Sequence, residues 1–128
     1  MPTLQNILYV EDEPDIQAVA QVALEMVGGF TLKICSSGQE ALEAVQTFTP
    51  DLILLDVMMP GMDGPTTMLE LRKQPQLTHT PMVFMTAKVQ PGEVSEYLAL
   101  GASGVIAKPF DPMKLAAEVR TIWEQTQQ

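Results

Sequence analysis

Four consecutive apolar residues, Leu52, Ile53, Leu54 and Leu55, lie between Asp51 and Asp56, and Val-Met-Met-Pro-Gly-Met-Asp-Gly follows to Gly64. So short and unbroken an apolar run suits a strand buried on both faces, as in a parallel sheet covered by helices. Pro60 has no N–H to donate and Gly61 frees the backbone, so the strand must end before them. Asp56 therefore closes a central strand at its carboxyl end, where open α/β sheets place their chemistry. A plain turn-forming aspartate is the alternative at this stage.

Four further apolar runs accompany it, at residues 5–10 (QNILYV), 30–35 (FTLKIC), 81–85 (PMVFM) and 105–107 (VIA). Each run is followed by a helical period. In the first, Ile16, Val19, Ala20, Ala23 and Val27 share a face, with Pro14 and Asp15 at the start and Gly28-Gly29 at the end. Ser37 and Glu40 have capping-box spacing and open a second helix with Ala41, Leu42, Val45 and Phe48 inward. Asp63 is placed to cap a third, running to about Lys73 with Met68 and Leu71 inward. The fourth spans residues 92–100, with Val94, Tyr97 and Leu98 in phase. Asp111-Pro112 opens the last as N-cap and first helical residue, with Leu115, Ala116, Val119, Ile122 and Trp123 on one stripe. Strict alternation of strand and helix predicts an α/β fold, a parallel sheet with helices on both faces. One domain over 1–128 is expected, with a core at about 5–123 and a polar, fraying tail at 124–128.

Composition narrows the partners. The net charge of −9 argues against a grip on bare nucleic acid, whose affinity comes largely from Lys and Arg on phosphates, and favours a protein partner or a cation. No apolar run approaches the roughly 18 residues of a membrane span, and no basic segment precedes the first strand, so neither membrane nor signal peptide is expected. Cys35 is the single cysteine, which excludes an internal disulfide and fits a reducing, cytoplasmic setting. It reads as a buried small hydrophobe. Met26, Met68, Met82 and Met85 read as core filler, Met59 and Met62 as exposed residues beside the loop, and His79 as solvated.

A parallel sheet brings every strand's carboxyl end to one edge. Glu11 and Asp12 follow the first strand, Asp56 the third, Thr86 the fourth and Lys108 the fifth. Three carboxylates, a hydroxyl and an ammonium thus converge on one rim. Clustered carboxylates repel unless a cation sits among them, and hard oxygen ligands suit Mg²⁺ (or Mn²⁺). Lys108 and Thr86 suit phosphoryl oxygens, which makes Asp56 a candidate carboxylate nucleophile forming an aspartyl phosphate. Positioning and charge neutralisation carry most phosphoryl transfer.

With these pieces in order, the chain resembles a response-regulator receiver domain of the single-domain, chemotaxis-regulator-like kind, over essentially its whole length. The carrying residues are Glu11-Asp12, the run from Asp56 through Met58, Met59, Pro60, Gly61, Met62 and Asp63 to Gly64, Thr86-Ala87, and Lys108-Pro109-Phe110. The resemblance implies a flavodoxin-like three-layer fold of five strands and five helices with strand order 2-1-3-4-5. It implies that Asp56 accepts a phosphoryl group from a phosphohistidine on a histidine kinase or a histidine phosphotransfer protein. It further implies that Asp12, Asp56 and the Met58 carbonyl ligate Mg²⁺, with Glu11 acting through water. Lys108 would pair with the phosphoryl group, and the Thr86 hydroxyl and the backbone N–H groups of Met58 and Ala87 would complete its cradle. A cis Lys108-Pro109 bond is implied as well. The expected output is altered affinity for a protein, so the chain is a switch that assists its own phosphorylation and dephosphorylation rather than an enzyme.

Two departures matter. Receivers often carry Tyr or Phe three residues before the lysine, where this chain has Val105. A valine cannot swing a ring, so signalling is expected to pass through the 86–90 loop and the fourth helix. The position two beyond Asp56, which with the one two beyond Thr86 (Lys88) tunes lifetime in the family, is apolar Met58; a persistent phosphoryl group is expected. Met58 also argues against a haloacid-dehalogenase-type phosphatase, which needs a second Asp there. Glu11-Asp12-Glu13 would repel the phosphate of a flavin carrier. The chain ends soon after the fifth helix, which reads as a stand-alone regulator or a piece of a larger protein, and Met1 close to the first strand favours a natural start.

Overall fold

Five parallel strands, β1 (Asn6–Val10), β2 (Thr31–Cys35), β3 (Leu52–Asp56), β4 (Met82–Thr86) and β5 (Gly104–Ala107), form one sheet ordered β2-β1-β3-β4-β5 in a computed structural model that describes residues 3–127. Met1 and Gln128, which the expected start and tail include, lie outside the described residues. Register follows the apolar runs: Ile7 pairs with Leu52, Ile53 with Met82, and Val83 with Gly104. β3 is central, and all five of its residues are buried. Asp51 stays outside it because its carboxylate accepts from the Gln5 and Asn6 backbone N–H groups at 3.0 and 2.8 Å, tying the starts of β1 and β3 together.

Alternation divides the strands' side chains between two layers. Ile7, Tyr9, Leu52, Leu54, Val83 and Met85 meet Ala20, Leu24, Leu115 and Val119 from helices α1 (Pro14–Gln21, with its continuation) and α5 (Leu115–Thr126). On the other face, Leu8, Val10, Ile53, Leu55, Met82 and Phe84 meet α2 (Gly38–Ala44) and α3 (Gly64–Arg72) through Ala41, Val45, Met68 and Leu71. Each of Leu52 to Leu55 has no exposed surface, and burial of such a side chain contributes about 1.5–3 kcal/mol. The helix α4 (Pro91–Ala99) lies over Phe84, whose ring meets Tyr97 edge-on at 5.2 Å.

Several helix expectations need correction. Beyond Gln21 the first helix widens into a π-helical turn, Val22–Val27, in which the Gly28 N–H donates to the Ala23 carbonyl five residues back. The extra residue per turn brings Leu24 inward and leaves Met26 (80% exposed) and Val27 outside, so Met26 is not core filler; Val19, in the regular helix before the turn, is exposed as well. A side chain at Gly28 would stand 2.9 Å from Ala116 Cβ, so glycine allows this end of the helix to press on α5. Met59 is buried at 7% exposure, against its expected exposure, because the turn after β3 folds it onto the α2/α3 layer. Leu98 is exposed, and α4 has no fully buried residue. Asp111 accepts from the Met113 N–H at 2.9 Å as expected of a cap, but a separate turn intervenes before regular helix begins at Leu115. That helix runs on to Thr126 instead of fraying at Glu124. Asp63 caps α3 as expected, accepting from the Thr66 N–H at 2.9 Å. Ser37 accepts from the Glu40 N–H at 3.1 Å, while Glu40 reaches back to the Ser36 N–H, one residue early for a closed capping box.

Candidate functional site

Each polar residue singled out in the sequence stands at the carboxyl edge of the sheet. The Glu11 N–H still pairs with the Cys35 carbonyl at 2.9 Å, so Glu11 leaves β1 held against β2 and is wholly buried. Asp12, one step further, is half-buried. Asp56 ends β3 at 5% exposure, and Thr86 ends β4, also buried. The Lys108 N–H donates to the Thr86 carbonyl at 2.9 Å, which places Lys108 beside the end of β4. The Lys108-Pro109 bond is cis.

Lys108 Nζ donates to Glu11 Oε1 at 2.9 Å and to Asp56 Oδ1 at 3.0 Å. Glu11, Asp12 and Asp56 each offer a carboxylate oxygen within 4.8 Å of the others, so the three could hold a metal ion. Met58 and Ala87 join Glu13, Asp56, Thr86, Lys88 and Lys108 around a hollow of about 190 Å³. The Thr86 hydroxyl accepts from the Lys88 N–H at 3.0 Å.

Three carboxylates around one ammonium leave an excess of negative charge. Burial pushes Asp56 up to about 6; the Lys108 hydrogen bond opposes this, and the Glu11 charge adds to it. Burial alone would pull Lys108 down, but its hydrogen bonds to Glu11 and Asp56 outweigh that and raise it. The arrangement favours a bound cation, because a divalent ion removes the repulsion that burial amplifies.

Two residues of this edge went unnoticed in the sequence. Tyr9 donates its hydroxyl to Glu11 Oε1 at 3.3 Å, and the Gln17 amide donates to the Glu11 carbonyl and to Ser36 Oγ. For Tyr9 a signal existed, since it stands two residues before Glu11 in a strand and so shares its face. Gln17 gave none, as it depends on how α1 crosses the edge.

A family model described as "Response regulator receiver domain" matches residues 7–120. The chain belongs to that family. Among relatives of this receiver, the DNA-binding response regulator MtrA of Mycolicibacterium smegmatis is 38% identical over 116 residues, covering 91% of this chain and 49% of the relative. The alkaline phosphatase synthesis transcriptional regulatory protein PhoP of Bacillus subtilis is 37% identical over 123 residues, covering 96% and 50%. The receiver therefore spans about half the length of the curated relatives it matches. The solved chemotaxis response regulator CheY4 of Vibrio cholerae superposes with a TM-score of 0.86 at 31% identity, covering 94% of this chain and 99% of that one. The order of the five strands is that of the flavodoxin-like receiver fold. Receiver domains serve two-component response regulators as phosphorylatable switches, working with histidine kinases and output domains. No helix among the described residues is long and apolar enough to cross a membrane.

Proposed function

We propose that Asp56 is the phosphoacceptor, taking a phosphoryl group from the phosphohistidine of a histidine kinase or histidine phosphotransfer protein. The observation that carries this reading is Lys108 Nζ, held at 3.0 Å from Asp56 Oδ1 on an edge where Glu11 and Asp12 complete an acidic cluster. Such a constellation neutralises and orients, which is what phosphoryl transfer asks of a protein.

The residues divide the work. A carboxylate oxygen of Asp56 forms the new O–P bond as the N–P bond of the phosphohistidine breaks and the imidazole leaves with that electron pair. Lys108 moves its ammonium from shared contact with two carboxylates to the incoming phosphoryl oxygens, a transfer its flexible stem permits. Thr86 donates its hydroxyl to a second oxygen, and the backbone N–H groups of Met58 and Ala87 complete the cradle. Asp12, Asp56 and the Met58 carbonyl would hold Mg²⁺, with Glu11 contributing through water; hard carboxylate oxygens suit that ion, and Mn²⁺ could replace it. When bound, it neutralises charge on the phosphoryl oxygens.

The domain assists its own phosphorylation and dephosphorylation but turns over no separate substrate, and its output is changed affinity for a protein. The formal charge of −9 opposes direct contact with nucleic acid by this domain. A cytoplasmic setting fits its single, buried thiol.

Incubation with Mg²⁺ and a small acyl phosphate should give a base- and hydroxylamine-labile adduct on Asp56, which does not form when Mg²⁺ is chelated beforehand and is absent from Asp56→Asn. Unmodified wild-type protein under those conditions rules the reading out.

A further inference from the structure

Tyr9 is among the largest wholly buried side chains, and the roles above leave its hydroxyl idle. Ile7, Tyr9 and Glu11 alternate onto one face of the sheet, so the ring of Tyr9 lies in the apolar layer beneath α1 and α5. From there its hydroxyl reaches the polar edge and donates to Glu11 Oε1 at 3.3 Å. The same oxygen accepts from Lys108 Nζ at 2.9 Å, and Lys108 continues to Asp56 Oδ1 at 3.0 Å. Glu11 Oε2 accepts from the Glu13 N–H at 3.3 Å. Three donors therefore fix a carboxylate that has no exposed surface.

Packing alone gives no reason for that hydroxyl. Phenylalanine would fill the same layer without carrying a polar group out of water, a transfer that is unfavourable unless a hydrogen bond compensates it. The bond found is to the carboxylate that shares Lys108 Nζ with Asp56. Gln17 meanwhile holds the Glu11 carbonyl, so the backbone at this position is fixed independently. Without Tyr9 the Glu11 side chain keeps the Glu13 N–H on Oε2 and Lys108 on Oε1, and loses its one tether to the apolar layer.

We propose that Tyr9 is a positioning residue for phosphoryl transfer: its hydroxyl holds the Glu11 carboxylate where that carboxylate holds Lys108 over Asp56. The rate consequence rests on Asp56 being the phosphoacceptor; the linkage itself does not. Lysine is a point charge on four flexible carbons, so its placement comes from its anchors. With the phenol gone, Glu11 Oε1 keeps only Lys108, and the pair drifts together. Displacements on the order of 1 Å suffice to slow an oriented reaction substantially.

Tyr9→Phe tests this, with two readouts. In metal-free protein, the ¹⁵N resonance of the Lys108 ammonium, assigned by its loss in Lys108→Arg, should shift or broaden. The initial rate of phosphoryl uptake from a small acyl phosphate at saturating Mg²⁺ should fall about tenfold, the scale of lost outer-shell partners. The thermal midpoint should stay close to that of the wild type. An unmoved Lys108 resonance overturns the proposal whatever the rate does, as does an unchanged rate beside a moved resonance. A variant that fails to fold assigns the hydroxyl to stability and overturns it too. If wild-type protein takes up no phosphoryl group, the phosphoacceptor reading falls, and the resonance alone decides whether Tyr9 positions Lys108 through Glu11.

Discussion

Met58 keeps 68% of its surface exposed while lining the hollow that contains Asp56, Thr86 and Lys108. A thioether is a weak acceptor and no donor, so it cannot steer a water toward a phosphoryl group, whereas an amide can do both. Met58→Asn should therefore shorten the lifetime of the Asp56 phosphate several-fold, read as the decay of labelled protein at fixed Mg²⁺. An unchanged decay rate would remove Met58 from the timing of the signal. Cys35, at the end of β2, is 2% exposed, and burial pushes its thiol from 9.0 up to about 11, with Lys33 opposing and Glu40 adding to the shift. Between those values the unfolded thiol loses its proton first, so unfolding gains from deprotonation and folding stability falls as pH rises from about 9 to about 11. The loss should be on the order of 2 kcal/mol. Urea midpoints at pH 8 and 10.5 measure it, and Cys35→Ala should reduce the drop by that amount. A drop unaffected by the substitution would place the titration elsewhere.

At the scale of elements, α4 differs from its neighbours. Thr67, Met68 and Leu71 bury one side of α3, whereas α4 has no buried residue and meets the core through half-buried Tyr97. Local opening costs least where few apolar contacts must break. Amide exchange should therefore be faster in α4 than in α3, and phosphorylation should change exchange at residues 86–90 and in α4, given that Val105 offers no ring to move. Protection of α4 equal to that of α3, unaltered by phosphorylation, would close this route. The strands were legible because unbroken apolar runs such as Leu52–Leu55 have no other stable home, and Asp63 was legible as a cap because its own side chain completes the hydrogen bond. The second half of the first helix was not. A regular 3.6-residue period placed Val27 inside, but the π-helical turn brings Leu24 there, a choice made by the fit of Gly28 against α5 and invisible in local spacing. Met59 was misjudged for a similar reason, since a tertiary turn decides which methionine of the loop meets the core.

Over the whole molecule, parallel topology does what no local motif can. It sets Lys108 beside Glu11 across 97 residues of chain, and that convergence was readable from strand–helix alternation alone. The bonds that hold the cluster in place, from Tyr9 and Gln17, were not, because they depend on side chains crossing between layers. The topology also concentrates charge: three carboxylates face one ammonium in a protein that already carries −9. The folded state should therefore bind a divalent cation that the unfolded chain, with these residues scattered, cannot gather. Binding to the folded state alone stabilises it by about 2.7 kcal/mol at a cation concentration a hundredfold above Kd. For a domain of this size that raises Tm by roughly 10 °C. Differential scanning calorimetry in MgCl₂, against NaCl of equal ionic strength, isolates this binding from general screening, which acts on exposed charges throughout the surface. Asp12 is half-buried, so Asp12→Ala should leave the metal-free Tm within a few degrees while abolishing most of the Mg²⁺-dependent rise. An equal rise in both proteins would mean that the cation binds elsewhere on the acidic surface.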